Sequence, residues 1–225
     1  MAHWLGTAAG LLLSCSLAAQ PLRDGLQARL MARGDTIVLP SVQCDSTLPS
    51  NARYLRDTIW LGHVQAAFAT YDDSLSLIWH EYQHHRLQGQ FPVQVDAEGL
   101  PVQWMTDEQY LYQAPPAQIA RELAQSEAFF ADLPLPQREA QLTRLRQDLT
   151  QPDSRPFRYA PSNLAREELL AYQAQWQGDI EGLYHLSASA RQTIRIRLYQ
   201  LTQTLALRLD YEQRMGLGPD GNPRP

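Results

Sequence analysis

Apolar and polar positions along this chain follow strand-like patterns in the first quarter and helical ones later. Asp35-Thr36-Ile37-Val38-Leu39 and Asp57-Thr58-Ile59-Trp60-Leu61 are β-branched and aromatic runs ended by Pro40 and Gly62, which predicts two strands able to pair. The Ser-, Pro- and Asn-rich stretch between them reads as a loop. Leu75, Leu77, Ile78 and Trp79 follow Asp72-Asp73-Ser74, an N-cap signal, and Gly89 with Pro92 supplies a stop, so a helix of about fifteen residues is expected over 73–88. Val93-Gln94-Val95 and Val102-Gln103-Trp104 alternate around Asp96-Ala97-Glu98-Gly99, the pattern of a hairpin that would serve as a flap. From Pro115 onward the pattern is helical over 116–131, 136–149, 162–176 and 188–215, with a loose tail over 216–225. The fold class is α+β, mainly helical, with a small sheet near the N-terminal half.

Composition narrows the partners. All 19 basic residues are arginine, and they alternate with acids along helical stretches such as 138–146. No basic footprint for nucleic acid is present, so nucleic acid is not an expected partner. The 225 residues suffice for one domain with a real core, read here as 20–225 with a helical C-terminal half. Residues 4–19 are apolar and end in Ser16-Leu17-Ala18-Ala19 before Gln20-Pro21, which reads as a secretory signal peptide over 1–19 and implies export. Leu12-Leu13-Ser14-Cys15 also resembles a lipobox, which would make Cys15 a lipid anchor. Against both, Met1-Ala2-His3 lacks the usual positive charge. With only Cys15 and Cys44, neither a Cys-rich zinc site nor a disulfide framework is available, and loss of the leader would leave Cys44 unpaired.

His80-Glu81-Tyr82-Gln83-His84 carries the chemistry. On a helix, two histidines at i and i+4 lie about 40° apart around the axis, so both imidazoles reach one ion. Glu81 then projects beside the ion, where it can take a proton from water that a zinc ion acidifies. The longer segment Leu77-Ile78-Trp79-His80-Glu81-Tyr82-Gln83-His84-His85 resembles the active-site helix of zincin metallopeptidases. That resemblance implies Zn2+ as cofactor, hydrolysis of a peptide or protein substrate, and a third ligand from elsewhere in the chain. The metzincin branch does not fit, because Leu87 and Gln90 stand where its glycine and third histidine belong.

Arg166-Glu167-Glu168-Leu169-Leu170-Ala171-Tyr172 is similar to the E-x-x-A pattern of the gluzincin branch, which makes Glu168 the expected third ligand. Glu168 shares a helix face with Leu164, Ala171, Tyr172 and Gln175, and the small Ala171 lets another helix approach. Glu167, Glu122 and Glu127 stay open as alternatives. His85 is one residue off the ligand face. Tyr172 and His185 are each able to donate a hydrogen bond to an oxyanion, although packing explains them as well, and His63 follows the second strand. Three functions fit: a zinc peptidase, a zinc hydrolase with other substrates, and a non-catalytic envelope or binding protein that keeps the scaffold. Intact Glu81 argues against the last, since a structural site needs no base.

Overall fold

The computed structural model describes residues 5–45, 47–48, 50–62, 68, 70–95, 97, 101, 104–105, 116–150 and 158–224. In chain order the described elements are α1 (Leu5–Ala32), β1 (Ser41–Cys44), β2 (Ala52–Leu55), β3 (Thr58–Leu61), α2 (Tyr71–Leu87), β4 (Trp104–Met105), α3 (Pro116–Phe129), α4 (Leu135–Thr150), β5 (Arg158–Tyr159), α5 (Ser162–Ile180) and α6 (Ala188–Met215). The fold is α+β and mostly helical, with a three-stranded sheet in the N-terminal half, in agreement with the sequence pattern. It divides into two compact units, Met1–Pro92 with Ser162–Ala206, and Val93–Pro161 with Leu207–Pro225.

In the first unit the core joins Leu26 and Leu30 of α1, Val42 of β1, Ile59 and Leu61 of β3, Leu75 and Ile78 of α2, and Ile194 of α6. The strand order is β1-β3-β2, with β1 parallel and β2 antiparallel to β3. This corrects the expected pairing. Residues 35–39 form no strand, because side chains of α1 take their backbone groups: Gln27 donates to the Ile37 carbonyl and accepts from the Leu39 N–H, and Arg23 donates to the carbonyls of Leu39 and Pro40. The strand that pairs with β3 begins one residue after Pro40, and the segment read as loop holds both β1 and β2. Arg56 and Asp57 form the two-residue turn between β2 and β3, both at left-handed φ (51° and 58°), which matches the twist of a tight hairpin.

α2 also begins earlier than its apolar run suggests. Thr70 is the N-cap, and Asp73 closes a capping box by accepting from the Thr70 N–H while Thr70 Oγ1 accepts from the Asp73 N–H. Asp72, and Asp73 in addition to its part in the cap, tie the helix to its surroundings. Asp72 accepts from Arg29 of α1 and from the His185 N–H, and Asp73 accepts from the Ser187 N–H. Gly89, at φ +78°, stands just beyond the helix end.

In the second unit α3 packs on α4, and Tyr159 of β5 packs with Tyr211 of α6 while donating to Glu212 at 2.8 Å. Of the expected hairpin over 93–104 the described residues include the antiparallel bridge of Val95 with Pro101, while β4 pairs antiparallel with β5. The tail is not loose, since Leu217 bridges Pro223, Gly218 donates to the Asn222 carbonyl and Arg224 donates to the Gly216 carbonyl. Cys44 is disulfide-bonded and no free thiol. The side chains of residues 5–18, with the lipid anchor expected at Cys15, lie outside the described ones. Among the described residues no helix is long and apolar enough to cross a membrane.

Candidate metal centre

The centre is built where α2 and α5 pack against each other. Trp79 donates through Nε1 to the Ala174 carbonyl at 3.1 Å, Gln175 donates to Ser76 Oγ at 2.9 Å, and the Tyr172 ring meets His80 edge-on at 4.4 Å. Partners advance along α2 as they recede along α5, so the helices are antiparallel. Fully buried Ala171 sits on the same face as Tyr172 and Gln175 and keeps the two backbones close. At the far end Gly178 lets Tyr184 close over α5, and the Tyr184 hydroxyl donates to the Gln175 carbonyl. This register sets Glu168 opposite His80 and His84.

His80, His84 and Glu168 form a group that can hold a metal ion. The two Nε2 atoms are 3.3 Å apart. Glu168 Oε2 lies 3.6 Å from His80 Nε2, and Oε1 lies 3.7 Å from His84 Nε2. Nitrogen and oxygen ligands at 2.0–2.2 Å from a tetrahedral ion stand about 3.3–3.6 Å from each other, so the observed triangle is close to the size a zinc-like ion needs. The two histidines are buried to different degrees, with 7% and 16% of their side chains exposed, whereas Glu168 retains 46% and leaves the group open on its side.

Each remaining polar contact has a separate role. Glu167 Oε1 is 2.9 Å from His84 Nδ1, so it binds the far side of that ring and does not join the triangle. Glu81 is buried and accepts a hydrogen bond from the Tyr54 N–H at 2.7 Å. Because β2 and β3 share a two-residue turn, Leu55 and Thr58 form the hydrogen-bonded pair next to it, and Tyr54 and Ile59 form the next, non-hydrogen-bonded pair. The N–H and carbonyl of Tyr54 therefore point away from β3, to the edge of the sheet formed by the described strands, where Glu81 stands.

The charges interact strongly. Burial raises the Glu81 carboxyl above its ordinary range, against the pull of His80 and His84. For His84 burial favours the neutral ring, but the hydrogen bond it donates to Glu167 and the charges of Glu168, Glu81 and Glu167 outweigh it and raise the pKa to about 9. Burial also works against the charge of Glu168, and its contact with His80, both imidazoles and Arg197 hold its carboxyl below the usual range. Tyr172 is pushed up to about 12, chiefly by burial and then by Glu168.

Other candidates fall elsewhere. His85 Nδ1 meets the Tyr54 hydroxyl at 2.8 Å, on the hairpin side of α2. His185 is exposed, and its backbone N–H serves Asp72 in the first turn of α2. Glu127 is exposed on α3 in the other unit, while the Glu122 side chain and all of His63 lie outside the described residues. Two contributors had no sequence signal: Tyr54 acts through its backbone N–H, and Arg197 acts by its charge from α6. Compared with protein-family models, with curated proteins and with solved structures, the chain matches none.

Proposed function

We propose that this protein is a zinc-dependent peptidase in which His80, His84 and Glu168 hold the ion and Glu81 is the general base. The observation that carries the reading is the convergence of three donor atoms at tetrahedral spacing with a buried carboxylate, Glu81, on the residue next to one ligand. When bound, zinc supplies Lewis acidity, making water a better nucleophile and polarising a carbonyl. Glu81 takes the proton from the attacking water and later returns it to the leaving amine, and burial, by raising its pKa, makes it a stronger base. The Tyr54 N–H fixes the carboxylate until it acts.

A peptide is the substrate class favoured by the sheet. β2 is an edge strand, and an extended chain can add to such an edge through main-chain hydrogen bonds. The outward carbonyl of Tyr54 is placed to accept from that chain beside the base. Glu81→Gln keeps the size of the side chain but removes the base. It should retain zinc and lose cleavage of a mixed peptide library by about 10²- to 10⁴-fold. Wild-type-like cleavage by Glu81→Gln would overturn the assignment of the base, and a zinc-loaded wild type that cleaves no peptide in the library would overturn the peptidase reading.

A further inference from the structure

Glu168 and its neighbour Glu167 address the two nitrogens of the same histidine, one at 3.7 Å from Nε2 and the other at 2.9 Å from Nδ1. An ionised carboxylate can only accept a hydrogen bond, so the contact with Glu167 requires a proton on His84 Nδ1. A neutral imidazole carrying its proton there presents its lone pair from Nε2, the atom that faces His80 and Glu168. We infer that Glu167 is the positioning residue of the metal centre, a carboxylate that fixes the ring orientation and ligand tautomer of His84. The inference rests on the metal-centre reading and adds to it a residue that touches neither ion nor substrate.

Three features support this role over a tie between helices alone. Glu167 has no other hydrogen bond or ion pair among the described residues, so its contact with His84 is not incidental to a surface network. Its side chain is 23% exposed, which leaves the charge effective at the ring. The second histidine lacks such a partner: His80 Nδ1 is buried with no hydrogen bond among the described residues, and the Tyr172 ring holds that imidazole by contact. One ligand is thus set by an acid and the other by packing. Carboxylates in this position make an imidazole a stronger ligand and keep it from swinging, and their loss typically costs metal affinity about 10- to 100-fold.

The test is zinc affinity, measured by competition with a chromophoric chelator on the full chain, for the wild type, Glu167→Ala, Glu167→Gln and His84→Ala. The thermal midpoint of each metal-free protein is recorded alongside. Glu167→Ala should bind zinc about 10- to 100-fold more weakly. Glu167→Gln keeps an acceptor oxygen but no charge and should fall between, while His84→Ala should lose binding. A merely structural role would lower the metal-free midpoint and leave zinc affinity unchanged. Zinc affinity unaltered in both Glu167 variants, with binding lost in His84→Ala, would overturn this inference alone. A wild type that binds no zinc would overturn the metal-centre reading and this inference with it.

Discussion

His84 is the residue at which charge and the proposed metal binding meet. With its pKa at about 9 in the metal-free protein, the ring is protonated at neutral pH, held so by Glu167, Glu168 and Glu81 against the cost of burial. An ion must displace that proton. Apparent zinc affinity should therefore rise up to about tenfold per pH unit and level off above about pH 9, with proton release visible when binding heats are compared in buffers of different ionisation enthalpy. Affinity independent of pH between about 7 and 9 would contradict this charge state. For stability without metal the sign is reversed. A pKa raised from 6.5 to about 9 gives a contribution fully present below pH 6.5 and lost as pH rises through about 9. At this scale the sequence is informative about groups close in the chain: His80, Glu81 and His84 fall within about one turn of α2, and their spacing alone marked them as one candidate site. Tyr54 contributes a backbone N–H, which every residue but proline owns, so nothing in Ala52-Arg53-Tyr54-Leu55 sets it apart.

The element that matters most is the α2–α5 pair. Its closeness depends on Ala171, which is fully buried beside Tyr172 and Gln175. Ala171→Leu adds a branched side chain to a packed seam, and overpacking of this kind costs about 1–3 kcal/mol. It should lower the thermal midpoint and, by moving Glu168 away from the histidines, lower zinc affinity as well. A variant with a reduced midpoint but wild-type zinc affinity would show that the site tolerates the helix shift. The E-x-x-A register marked this helix face in the sequence because inward residues repeat at helical spacing. The ends of α2 were less legible. The apolar run starts at Leu75, but the cap is set by the reciprocal bonds of Thr70 and Asp73, and Asp72 and the second carboxylate oxygen of Asp73 bind loop N–H groups far along the chain. Residues 35–39 failed as a strand for a similar reason, since Arg23 and Gln27 of α1 satisfy their backbone. Long-range side-chain bonds of this sort leave no local pattern.

For the whole molecule, the α+β class follows from the balance of short β-branched runs and long helical stretches, and that balance was visible in the chain. The division into two units was not, because the first unit takes its helices from both sides of Val93–Pro161 and α6 contributes residues to each unit. The candidate metal centre lies wholly in the first unit, on α2 and α5, so its assembly requires only that residues some 80 positions apart come together, as His84 and Glu167 do. Metal content of the purified protein, after loading with zinc and removal of the excess, tests the account most directly. The wild type and Glu81→Gln should each carry about one equivalent, and His80→Ala, His84→Ala and Glu168→Ala should each lose it, because two ligands alone hold zinc weakly. A wild type without zinc, or a Glu168→Ala variant that keeps its full equivalent, would contradict the account.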